Sequence, residues 1–98
     1  MVAYVINDME VTDPKLLDEY KKLSPATVAQ YGGRFLARGG RTETVEGAWA
    51  PKRLVILEFP SFDQAKAWVN SAEYAPARRL RQRGSRSNIV IVEGAPPV

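Results

Sequence analysis

Two carboxylates beside apolar strands are the residues of this sequence best suited to acid–base chemistry. Glu58 directly follows the apolar run Leu54–Leu57, and a carboxylate late in such a strand is unfavourable unless it is paired or lies at a rim. In a cleft, burial would raise the pKa of Glu58 and make it a general acid or base. Asp8 is expected at the corresponding end of the first strand, in the same cleft. We therefore predict Glu58 and Asp8 as catalytic residues. The structural alternatives are an ion pair of Glu58 with Arg38 or Arg53 and a solvated Asp8.

Arg38, Arg53 and Tyr74 are the candidate ligand-binding residues. The two arginines could hold a carboxylate or phosphate through paired hydrogen bonds; surface pairing or a salt bridge across a dimer is the alternative. Tyr74 follows a predicted helix, where its hydroxyl can meet a ligand or solvent. Trp68 has the spacing of a core residue on that helix. Trp49 lies in a predicted loop, where it could act either as a lid over the cleft or as an anchor in an interface.

Five arginines within nine positions, 78–86, account for all of the excess positive charge. Outside that segment nine basic residues face 11 acidic ones. We interpret the cluster first as a solvated helix face and second as an anion site. Aromatic residues are not interleaved with these arginines, so we expect no nucleic-acid binding.

The chain has no histidine and no cysteine. This excludes imidazole acid–base catalysis, Cys/His zinc sites and histidine- or cysteine-based nucleophile pairs. We expect no metal and no bound cofactor. No stretch approaches the roughly 20 apolar residues of a membrane span, and the N-terminus lacks the basic region of a cleaved signal. We expect a cytoplasmic protein that binds no membrane.

The periodicity of apolar residues predicts the element order β-α-β-β-α-β. Asp13 and Pro14 are typical of a helix start, Pro25 should break or kink that helix, and Ser61 with Gln64 has the spacing of a capping box. We predict one domain over residues 1–94 and a loose tail over 95–98. The predicted strands are Val2–Val11, Arg34–Arg38 with a continuation from Thr42 to Val45, Leu54–Glu58 and Asn88–Glu93.

This order is the ferredoxin-like α+β arrangement, with a four-stranded antiparallel sheet. Right-handed crossovers would place both helices on one side of the sheet. The other side is still largely apolar, because the central strand alternates apolar residues on both faces. A bare face of roughly 300 Å² or more would result. We therefore expect a homodimer in which two open sheet faces pack together.

Four segments of the sequence together resemble a known family, the domain of unknown function 1330 of small bacterial proteins. They are Tyr31–Gly40, Pro51–Ser61, Ala65–Tyr74 and Ser87–Gly94. The resemblance spans nearly the whole chain and implies a ferredoxin-like fold in the dimeric α/β-barrel superfamily. The family has no established activity. Related branches include cofactor-free monooxygenases, isomerases and small-ligand sensors, and several depend on a histidine that this chain lacks.

Two classes of function follow from these residues. In the first, the protein is an enzyme that acts on a small anionic or aromatic molecule in a cleft, with Glu58 or Asp8 as acid or base and the arginines orienting the substrate. In the second, it binds a small metabolite or a partner without turning anything over. The sequence favours the first class slightly.

Overall fold

The computed structural model describes residues 1–97 and has the predicted ferredoxin-like α+β fold. Its four strands form one antiparallel sheet in the order β2-β3-β1-β4. The two longest strands, β1 and β4, pair along their whole length. The elements are β1 (Ala3–Val11), α1 (Pro14–Gln30), β2 (Arg34–Arg38), β3 (Leu54–Phe59), α2 (Phe62–Val69), α3 (Ala75–Gly84) and β4 (Ser85–Glu93).

Helix α1 runs without interruption through Pro25. Its N-cap is Asp13, whose carboxylate accepts from the backbone N–H groups of Lys15 and Leu16 at 3.1 and 3.4 Å. The break predicted at Pro25 does not occur. Proline removes one hydrogen bond from a helix, but Ser24 and Val28 on either side of it are buried. Packing of this face against the sheet holds the two halves in one helix.

The predicted continuation of β2 from Thr42 to Val45 is wrong. Residues 39–53 have no regular structure, and residues 39–50 are exposed. Gly39 adopts a positive φ of 70° and donates its N–H to the Leu54 carbonyl at 2.9 Å, which closes the β2–β3 ladder. β3 begins at Leu54, so the pairing of the two strands ends here. The chain therefore leaves the sheet as a long loop, here called the 39–53 loop.

The core lies between the helices and one face of the sheet. Alternate residues of β1 and β3 point into it, among them Val5 and Leu57. Trp68 of α2 packs between Phe59 and Tyr74, with ring centroids 5.3 and 4.2 Å away. The prediction that Trp68 is a core residue is thus confirmed. All three helices contribute to this one apolar cluster.

The opposite face of the sheet, here called the open face, carries no helix within residues 1–97. Its centre holds half-buried residues of β1 and β3, including Ile6 and Ile56. Its edges expose Leu36, Val90 and Val92. The molecule is 17 Å deep along its shortest axis, the depth of one sheet and one helix layer. No helix within residues 1–97 has the length and apolar character needed to cross a membrane.

One residue, Gly94, separates the end of β4 from the predicted tail, 95–98. Gly94 is still buried and donates its N–H to the Val2 carbonyl at 2.8 Å. Residues 95–97 are exposed and have no regular structure, and position 98 lies outside the described residues.

Candidate functional site

A β-bulge in β2 places Arg38 on the helix side of the sheet. Phe35 pairs with Leu57 and Arg38 pairs with Val55, with a register shift between residues 35 and 37. Simple alternation would put residues 35 and 38 on opposite faces, but the extra residue of the bulge brings both to one face. The guanidinium carbon of Arg38 accordingly lies 4.4 Å from the centroid of the Phe35 ring.

Arg53 precedes β3, and its side chain lies beside Arg38 on the helix side of the sheet. It precedes Val55 by two residues and so shares its face of the sheet. Gly39 leaves room for it, since a Cβ at that glycine would approach the Arg53 Nε within 2.9 Å. Burial, and in second place the nearby charge of Arg38, lower the pKa of the Arg53 guanidinium. Within residues 1–97 neither arginine has a carboxylate partner.

Helix α1 borders the two arginines on a third side. Pro25 has no N–H, so the carbonyl of Lys21, four residues earlier, lacks its usual helical donor. Arg38 donates to that carbonyl from Nη2 at 3.4 Å. The half-buried Lys21 side chain lies beside the same opening. Lys21, Arg38 and Arg53 thus form the mouth of a cavity, here called the cationic rim.

Beneath the cationic rim lies an internal cavity between the sheet and the helices, here called the inner cavity. Its free volume is about 20 Å³, room for roughly one water molecule. Its lining includes four residues with uncharged polar groups, Asn7, Tyr20, Ser24 and Tyr74. The Asn7 side chain is buried, and its Oδ1 has no hydrogen-bond partner within residues 1–97. The apolar wall is formed by Val5, Met9, Val28, Val55, Leu57 and Trp68.

A hydroxyl pair backed by a buried cation forms one wall of the inner cavity. The phenol oxygens of Tyr20 and Tyr74 lie 2.8 Å apart, and Arg81 donates from Nε to the Tyr74 oxygen at 3.2 Å. Burial first, and Tyr74 second, raise the pKa of Tyr20. Arg81 is 7% exposed, and no carboxylate within residues 1–97 neutralises it.

The structure brings together three of the five predicted site residues. Arg38, Arg53 and Tyr74 all line the inner cavity. Glu58 and Asp8 lie on the open face instead, because they alternate with the buried residues of their strands. The predicted cleft shared by the two carboxylates does not form. In the antiparallel register Asp8 is opposite Leu54 and Glu58 is opposite Tyr4, so they lie at different ends of the strand pair.

Both carboxylates have structural partners. Glu58 accepts from Arg34 Nε and Nη2 at 3.1 and 2.9 Å, so the predicted partners Arg38 and Arg53 were wrong. Asp8 accepts from the Trp49 indole N–H at 2.8 Å and from the Lys52 backbone N–H at 3.0 Å. Asp8 therefore fixes the 39–53 loop to the open face.

The arginine cluster is divided among several environments. Arg81 points into the core, and Arg78 donates from Nη1 to the Val69 carbonyl at the end of α2, at 2.8 Å. Arg79 and Arg83 are exposed. The interpretation as a solvated helix face therefore applies to these two residues and not to the cluster as a whole.

Sequence reasoning missed Asn7, Tyr20 and Arg81. Asn7 was detectable, because it is the one polar residue on the strand face that also carries Ala3, Val5 and Met9. The inward direction of Arg81 follows from how α3 packs and has no local signature. Within the described part of the chain no group of three or more His, Cys, Asp or Glu side chains could hold a metal ion.

Solved structures with the same fold include proteins of unknown function and an oxygenase. A protein of unknown function from Rhodopseudomonas palustris is 16% identical, with a TM-score of 0.75 over 98% of this chain and 84% of that one. A dimeric ferredoxin-like protein of unknown function from Jannaschia sp. CCS1 is 13% identical, with a TM-score of 0.65 over 96% and 100%. SnoaB, a cofactor-independent oxygenase from Streptomyces nogalater, is 13% identical, with a TM-score of 0.63 over 99% and 95%.

These similarities show the fold, and sequence comparison shows the family. No curated protein matches the chain in sequence. A family model does match it, over residues 2–95. The chain belongs to the family described as domain of unknown function DUF1330.

Proposed function

We propose that this protein binds a small organic acid, whose anionic group lies between Arg38 and Arg53 and whose remaining part enters the inner cavity. The observation that carries the proposal is the pair of neighbouring guanidinium groups without a carboxylate partner within residues 1–97. Two like charges at a partly buried site are unfavourable until an anion neutralises them. A carboxylate can accept paired hydrogen bonds from such groups.

The size of the inner cavity limits how the acid is bound. The free volume of about 20 Å³ holds roughly one water molecule and no larger organic group. A ligand must therefore displace side chains of the cationic rim. Arg38 is exposed and Lys21 is half-buried, and long side chains at a surface change rotamer on a ps–ns timescale. Opening of the rim requires no movement of the sheet.

Turnover of the bound acid is a second candidate function, favoured by the Tyr20–Tyr74 pair. Tyr74 lines the inner cavity, and its hydroxyl group is held in place by Arg81. Such a group can donate a proton or a hydrogen bond to a ligand. The fold shared with a cofactor-independent oxygenase is an analogy of fold. Glu58 and Asp8 are not used in this proposal, because they lie on the open face.

We also propose that two copies of the chain pack open face against open face. An apolar sheet face without a covering layer is typical of an interface, and the exposed Leu36, Val90 and Val92 belong to this face. Two neighbours of the same fold are described as dimeric. The 39–53 loop, with its exposed Trp49, is fixed to the same side by Asp8.

A thermal-shift assay with small acids tests the binding proposal. We expect benzoates, short aliphatic acids or both to raise the melting temperature, since a ligand at 100 times its Kd adds about 2.7 kcal/mol to the free energy of unfolding. Arg53→Met and Arg38→Met should remove the shift. Arg79→Met, which changes an exposed arginine on α3, is the matched control and should keep it. No shift with any acid, or an unchanged shift in Arg53→Met, would contradict the proposal.

A further inference from the structure

We infer that Asn7 selects acids that carry a second group able to donate a hydrogen bond, a hydroxyl or an amine. The inference rests on the proposed function and concerns the deep end of the same site. Asn7 is 6% exposed, lines the inner cavity, and has an Oδ1 without a partner within residues 1–97. A buried oxygen acceptor that nothing in the fold satisfies is unfavourable. A donor on the ligand would satisfy it.

The fold itself does not require a polar residue at this position. Asn7 alternates with Val5 and Met9 on the core face of β1, and both of these are almost fully buried. An apolar side chain of similar size would fit the same pattern without leaving a polar atom unpaired. The amide is therefore better explained by what enters the cavity than by the packing of the core.

The positions of the three anchoring residues fit one small molecule. Asn7 and Arg38 are the partners of Val55 on its two sides, in β1 and β2. Neighbouring strands are about 4.8 Å apart, so the two backbones are separated by roughly 10 Å, and both side chains extend into the space between them. Arg53 starts two residues from Val55 on the same face. An acid group at the cationic rim and a donor at Asn7 can thus belong to one compact ligand.

The free volume agrees with such a donor. About 20 Å³ is open in the inner cavity, which is the space of one water molecule. A hydroxyl or amino group is of the same size. It can take the place of a water beside the buried Asn7 amide, while the anionic group stays between the arginines. The ligand class is therefore a small acid with a hydroxyl or amino group several bonds from its carboxylate.

Matched pairs of acids test this inference. The donors are 3- and 4-hydroxybenzoate and 3-hydroxybutyrate, and their partners are the 3- and 4-fluorobenzoates and butyrate, which cannot donate. We expect the wild-type protein to bind at least one donor about tenfold or more tightly than its partner, as measured by titration calorimetry. One hydrogen bond accounts for an effect of this size.

Two variants separate the inference from the proposed function. Asn7→Leu should abolish the preference for the donor, so that the two members of a pair bind with equal affinity. Arg53→Met should weaken binding of both members of a pair. Equal affinity within every pair in the wild type, or a preference that persists in Asn7→Leu, would overturn the inference and leave acid binding intact. Failure of all acids to bind would overturn the proposed function. Because the wild-type pairs alone decide the point, the test remains valid if Asn7→Leu does not fold.

Discussion

The phenol oxygens of Tyr20 and Tyr74 lie 2.8 Å apart in the core, although 54 residues separate them in the chain. Their rings meet edge to face, with centroids 6.2 Å apart. The hydrogen bond connects α1 to the segment before α3. It therefore links two parts of the single helix layer at the wall of the inner cavity, and it makes the stability of the fold depend on the protonation of a tyrosine.

The first prediction concerns that dependence. Burial, and in second place Tyr74, raise the pKa of Tyr20 above the usual tyrosine value of about 10. Above about pH 10 the unfolded chain releases a proton that the folded protein retains, so the free energy of unfolding falls as the pH rises. One proton gives a slope of at most about 1.4 kcal/mol per pH unit. Below pH 10 this contribution is fully present.

Tyr20→Phe should remove the part of that slope that comes from the Tyr20 proton. At pH 7 the variant should lose only about 1 kcal/mol, the effect of one hydrogen bond. Urea unfolding of wild type and variant between pH 7 and 11 measures both quantities. An identical slope in the two proteins would show that Tyr20 ionises as readily in the folded state as in the unfolded chain.

The second prediction concerns stability at Asn7. Asn7→Leu removes a buried oxygen that has no partner within residues 1–97 and replaces it with apolar atoms. We expect the free energy of unfolding of the unliganded protein to rise by about 1 kcal/mol. Val5→Asn, the reverse change two residues away on the same strand face, should lower it by about 1–3 kcal/mol. A less stable Asn7→Leu protein would mean that the fold already uses the amide.

The third prediction separates Glu58 from the site. The Glu58 side chain is paired with Arg34, whose own side chain is 72% exposed, and such a surface pair contributes about 0–1 kcal/mol. Glu58→Gln should therefore bind small acids as the wild type does and should unfold at nearly the same denaturant concentration. Loss of acid binding or of a measured turnover in this variant would show that Glu58 takes part in binding or catalysis.

The sequence predicts the elements well because local patterns determine them. The alternation of β1 and the cap at Ser61, whose Oγ accepts from the Gln64 N–H at 3.0 Å, both appear as expected. The candidate site was harder, since its geometry depends on pairing between strands. The bulge that turns Arg38 toward the helices, and the register that separates Asp8 from Glu58, are properties of strand pairs. A single strand's sequence does not contain them.

The 39–53 loop is a second feature that local sequence patterns do not predict. Thr42 to Val45 has residues that favour strands, yet in the described part of the chain no strand pairs with it. Its position is fixed instead by Asp8, a residue more than 40 positions away from the Trp49 indole that it binds. Long-range contacts of polar side chains with loops are not visible in local periodicity.

The fourth prediction concerns the open face. Val92 is 45% exposed on β4 beside Tyr4, and Leu23 is 46% exposed on α1. Val92→Asp and Leu23→Asp therefore place the same charge at equally exposed apolar positions on opposite sides of the molecule. If two open faces pack together, Val92→Asp buries an unpaired carboxylate in the interface and should give a monomer, whereas Leu23→Asp should remain a dimer. Sedimentation of the three proteins at micromolar concentration measures this difference. A monomeric wild type, or dissociation by Leu23→Asp and not by Val92→Asp, would place any interface away from the open face.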